Sequence, residues 1–76
     1  MAVRYRVVFR FSPDSLTWLV ERGDEVLSRW CRRHDAVREA ARCAREGAPS
    51  TLTVERVDGT VQQRRRYPRP RSADDG

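Results

Sequence analysis

The chain has no lysine, no isoleucine and no asparagine, so all sixteen of its basic residues are arginine. Lysine is missing along the whole length, as codon bias in a GC-rich genome would produce, and arginine identity alone therefore marks no site. Histidine occurs once and cysteine twice. The run Cys31-x2-His34-x8-Cys43 offers three metal ligands, whereas structural zinc takes four. A helix through these residues would hold His34 and Cys43 roughly two and a half turns apart, too far to share an ion. It would also separate Cys31 from Cys43 by about 18 Å at the helical rise per residue. A disulfide requires Cα atoms within about 7 Å, so reduced thiols are expected. No glycine-rich loop is placed to cradle a phosphate, and no cysteine–histidine or paired-carboxylate context suggests catalysis. Neither enzymatic activity nor a cofactor is expected. Long apolar runs are also missing, which leaves no membrane span or signal-peptide core and predicts a cytoplasmic protein.

What is present is charge, unevenly placed. The 76 residues allow one domain, with a net charge of +5. A core of this size rarely contributes more than roughly 3–5 kcal/mol, so regular packing or association matters. Residues 64–76 hold five arginines against two aspartates, which is more than half of the +5 total. A polyanion should meet that end first.

Val3, Tyr5, Val7, Phe9 and Phe11 alternate with Arg4, Arg6, Val8 and Arg10, the period of a strand with one buried face. Ser12-Pro13-Asp14-Ser15 is turn chemistry. Thr17–Arg22 predicts a second strand with Trp18 and Val20 on one face. Gly23-Asp24 then turns the chain into a shorter third strand, Glu25–Trp30. From about Arg32 to Glu46 the period becomes helical, with Ala36, Val37, Ala40, Ala41 and Ala44 in one stripe. Gly47 follows as the expected C′ residue, and Pro49 prevents continuation. On the outer face, Glu39–Arg42 and Arg42–Glu46 have pairing distances along the helix.

Asp58-Gly59 lies between two strand-like runs, 51–57 and 60–67, and predicts a two-residue type I′ hairpin. In that register Leu52, Val54, Val61 and Tyr67 point to the core, while Thr51, Thr53, Glu55, Arg64 and Arg66 point away. Arg65 falls on the core side and must reach out at the sheet margin. Residues 1–67 form the expected domain, and 68–76 a polar, disordered tail. The aromatics Tyr5, Phe9, Phe11, Trp18 and Tyr67 occupy positions that a small core needs. Trp30 would hint at recognition only if exposed. The expected fold class is α+β, a small antiparallel sheet of four or five strands, β-β-(β)-α-β-β, with one helix packed on one face.

Trp18-Leu-Val20, Asp35-Ala-Val-Arg-Glu-Ala-Ala41, Asp58-Gly59 and Tyr67 together resemble a family of small prokaryotic domains of uncharacterised function. The resemblance spans roughly residues 3–67 and implies no activity, cofactor or catalytic residue. Such proteins commonly carry a threonine cap three residues before the acid. Arg32 stands there instead and cannot complete a capping box with Asp35.

If the first and last strands are neighbours, Arg4, Arg6, Arg10, Arg64 and Arg66 line the helix-free face. Together with Arg65, they are the candidate nucleic-acid-binding residues, contacting RNA or DNA phosphates without base specificity and in a salt-dependent way. Arg69 and Arg71 of the tail would extend the site. Solvation, with Glu21 and Glu55 pairing some of these charges, is the plainer expectation for the same residues. A protein-interaction module is the other functional expectation, either a homodimer or a partner complex pairing through the open face or an edge strand.

Overall fold

The N-terminal alternation forms the spine of the sheet. The computed structural model describes residues 2–12 and 15–69; the predicted turn residues Pro13 and Asp14 and the tail from position 70 lie outside them. The elements run β1 (Val3–Ser12), β2 (Ser15–Arg22), β3 (Glu25–Trp30), α1 (Arg33–Glu46), β4 (Ser50–Glu55) and β5 (Val61–Tyr67). The third strand forms over its full predicted length. Strand order is β3-β2-β1-β4-β5.

The fold is α+β with one helix on one face, as the pattern predicts, but the sheet is mixed rather than wholly antiparallel. β1 and β4 pair in parallel, with Tyr5 beside Leu52 and Val7 beside Val54, while the other three pairings are antiparallel. The cause is the crossover. α1 reverses the chain after β3, so β4 returns in the direction of β3 and β1 and takes the free edge of β1. A second correction follows: β4 separates β1 from β5, which are not neighbours.

Ala36, Ala40 and Ala44 are fully buried, and their small side chains bring the helix close to Tyr5, Val7, Trp18, Val20, Leu52 and Val54. Burial of each of the larger residues contributes about 1.5–3 kcal/mol. The Phe9 and Trp18 rings pack tilted at 4.9 Å between centroids. At the other end, Ser50 Oγ donates to the Ala44 carbonyl at 2.6 Å, satisfying one of the acceptors a helix C-terminus leaves open. Gly47 occupies the helix C-cap, although its φ of −95° is ordinary. Close approach requires glycine here, because an added Cβ would fall on the Tyr5 hydroxyl. Arg32 makes no side-chain cap bond, in line with the missing threonine.

Two core assignments change. Phe11 is 76% exposed, and so is its cross-strand partner Leu16 at 57%. A ten-residue strand extends about 33 Å, whereas a fourteen-residue helix covers about 21 Å, so β1 outruns α1. Val61 also leaves the core, for a reason that lies in the hairpin. Gly59 has φ +89°, but Asp58 does not have positive φ, which excludes a type I′ turn. Instead Gly59 N donates to Arg56 O at 2.9 Å and Arg56 N to Thr60 O at 2.7 Å, closing a three-residue loop over Val57–Gly59. A type I turn followed by a positive-φ glycine is the common form of such loops. The longer loop shifts the pairing by one residue, placing Glu55 opposite Val61. A bulge then restores Val54 to Gln63, Thr53 to Arg64 and Leu52 to Arg65. Val61 is therefore turned to the helix-free side. Trp30 is half-buried against the core, with Nε1 donating to Ser28 Oγ at 2.8 Å, which gives it a packing role.

Candidate nucleic-acid interface

Alternation along each strand sends Arg4, Arg6, Val8 and Arg10 of β1 to the helix-free face. Thr17, Leu19 and Glu21 of β2, Thr51, Thr53 and Glu55 of β4, and Arg64 and Arg66 of β5 join them. Five of the six candidate arginines thus share this face. Arg65 does not; it pairs with Leu52 on the helix side and is exposed at the margin, as its register predicts.

These five arginines are not equivalent. Arg6 Nη2 donates to Glu55 Oε2 at 2.8 Å, and Arg6 Nη1 lies 3.6 Å from Glu21 Oε1. The Glu55 hydrogen bond and the two carboxylate charges hold the Arg6 guanidinium above its usual pKa despite partial burial. Arg10 Nη2 reaches Glu21 Oε2 at 3.9 Å. Its own cross-strand neighbour is Thr17, so this contact carries the side chain along the sheet, past the Val8–Leu19 pair. Val8 is fully buried and Leu19 only 8% exposed, although no helix covers them. Arginine stems spanning apolar side chains, with their charged ends held by Glu21, account for that burial. The plainer expectation, in which Glu21 and Glu55 neutralise part of the stripe, describes Arg6 and Arg10 correctly.

Arg4, Arg64 and Arg66 have no ion-pair partner among the described residues. Arg4, Thr51 and Arg66 form one cross-strand row, and Arg6, Thr53 and Arg64 the next. Between them runs an open groove of about 490 Å³ lined by Arg4, Arg6, Thr51, Thr53, Glu55, Val61 and Arg64. Thr51 and Thr53 add hydroxyl donors to the arginines. The threonine–aliphatic alternation of 51–54 places them on this face, but without charge neither stands out in the sequence as a site residue. Along β5, Arg64 and Arg66 stand roughly 7 Å apart, and β1 lies about 10 Å from β5. No aromatic ring lies on this face among the described residues, which removes base stacking from its chemistry.

The remaining reactive groups lie apart from the groove. Cys31 is exposed and Cys43 half-buried, both free. Burial first, and then the charge and hydrogen bond of Glu39, push the Cys43 thiol up, away from nucleophilic form. No group of three metal-ligating side chains occurs among the described residues, and no helix among them is long and apolar enough to cross a membrane.

Fold and groove together define a small single-helix α+β domain with a basic open sheet face. Its sequence matches the model of family DUF2188, described as an uncharacterized protein conserved in bacteria, over residues 5–67, and the chain belongs to that family. Comparison with curated proteins and with solved structures gives no match.

Proposed function

We propose that the protein is a non-catalytic binding domain that contacts RNA or DNA phosphates, without base specificity, through its helix-free sheet face. The observation that carries this is the set Arg4, Arg64 and Arg66, without ion-pair partners among the described residues, around the Thr51 and Thr53 hydroxyls and next to arginines already tied to carboxylates. A guanidinium without an acid partner can exchange its counterion for a phosphate, whereas Arg6 would first have to leave Glu55. With no aromatic ring on it among the described residues, the face favours backbone contact over base stacking. Homodimerisation by antiparallel pairing of β5 is the weaker alternative, because it would set Arg64, Arg65 and Arg66 against their own copies.

A gel mobility shift with mixed-sequence duplex tests this. Binding should fall steeply between low and moderate salt, with a log–log slope near −3 if three phosphates are neutralised (about −0.9 each). Replacing Arg4, Arg64 and Arg66 together by serine should largely abolish it, while Arg10→Ser should change it little. Unaltered affinity in the triple variant would refute the proposal.

A further inference from the structure

We infer a second interaction surface at the far end of the helix side, fitted to an acidic amphipathic segment of a protein partner. Phe11 and Leu16 pair across the β1–β2 hairpin beyond the reach of α1, at 76% and 57% exposure. They continue the row pattern of Phe9 and Trp18, so the apolar core face extends past its own cover. Val57, 65% exposed at the tip of the β4–β5 hairpin, borders a hollow of about 310 Å³ that it shares with Trp18, Arg33 and Arg56. Single exposed apolar residues are ordinary, but Phe11 and Leu16 stand side by side, in the row next to Phe9 and to the Trp18 that lines the hollow.

The charged side chains that line the hollow, Arg33 and Arg56, have one sign. The Arg33 guanidinium sits 6.0 Å from the centre of the Trp18 ring, held by the ring's negative face. Arg56 Nη1 donates to Thr60 Oγ1 and to the Val61 carbonyl, so neither of these hydrogen bonds goes to a carboxylate. Asp58, next to Val57, is turned into its own loop, where its carboxylate accepts from Thr60 N and Oγ1. The occupant must therefore bring both apolar side chains and carboxylates. A second copy would bring the same arginines and repel.

The probe is a synthetic helical peptide with leucine on one face and glutamate on the other, compared with its lysine counterpart by tryptophan fluorescence titration. The glutamate peptide should bind at least about tenfold more tightly than the lysine one. Phe11→Ser with Leu16→Ser should abolish binding, and Arg33→Ser should narrow the preference. Phe11 and Leu16 are exposed and Arg33 is half-buried, and circular dichroism checks that each variant keeps its fold. Four results would overturn the inference: no binding of either peptide, no preference between them, full binding by the double variant, or a dimer in sedimentation that this variant dissolves. Loss of duplex binding in the double variant would also overturn it, by assigning the patch to nucleic acid.

Discussion

The two faces of the sheet both bury apolar side chains, but by unlike means. On the helix side, Val7, Val20, Leu52 and Val54 are closed off by an alanine stripe and by Tyr5 and Trp18. On the other side, Val8 and Leu19 are closed off by arginine side chains anchored on Glu21. The first kind of cover is insensitive to ionic strength, because nothing in it is charged. The second is held by partly exposed ion pairs, which are individually weak and screened by salt. The sheet thus has one permanent lid and one conditional lid. The unpaired arginines lie beside the conditional one.

Breaking the permanent lid should have the largest effect. Trp18→Ala removes a buried ring that contacts Phe9 and Arg33, at an expected cost of about 3–5 kcal/mol. That approaches the whole stability of a domain this small, so urea titration should find the variant largely unfolded at room temperature, in low and high salt alike. Glu21→Gln attacks the conditional lid and should cost roughly 0.5–1 kcal/mol at low salt. The penalty should shrink in about 1 M salt, where the Debye length is near 3 Å. A penalty that persists there would show that Glu21 acts through packing rather than charge.

The smallest effect concerns the hairpin beside the groove. Thr60 hydrogen bonds hold the Asp58 carboxyl below its usual pKa. A depressed folded-state pKa contributes stability that is present above the unfolded value and lost as pH falls through the folded one. Asp58→Asn keeps an acceptor for Thr60 but cannot titrate. Melting temperatures taken from neutral pH down to about pH 2 should fall slightly less for this variant than for the parent.

Much of the fold was legible because its elements repeat with a single period. The alternation of β1 and the alanine stripe of α1 each state one face unambiguously, and the paired carboxylates of Arg42 follow from helical spacing alone. Adjacency was not legible. Nothing local in Ser50–Glu55 says that it pairs with β1 rather than with β3; that follows from where the crossover lands. Phe11 shows a second limit, since periodicity gives its face correctly but not the length of the helix opposite. The site was half legible. Its arginines could be placed on a face by parity, whereas their division into paired and unpaired depends on where Glu21 and Glu55 sit across strands.

The β4–β5 hairpin can be described as a lattice with two defects of opposite sign. The three-residue loop slips the ladder by one step, and the bulge between Val61 and Gln63 slips it back. Like a pair of opposed dislocations, they cancel at a distance and displace only the residues from Thr60 to Gln62, Val61 among them. Arg64 and Arg66 stand beyond the pair and keep the orientation of an undistorted ladder. The loop can therefore change length or turn type, provided that the bulge changes with it, without moving the groove's arginines.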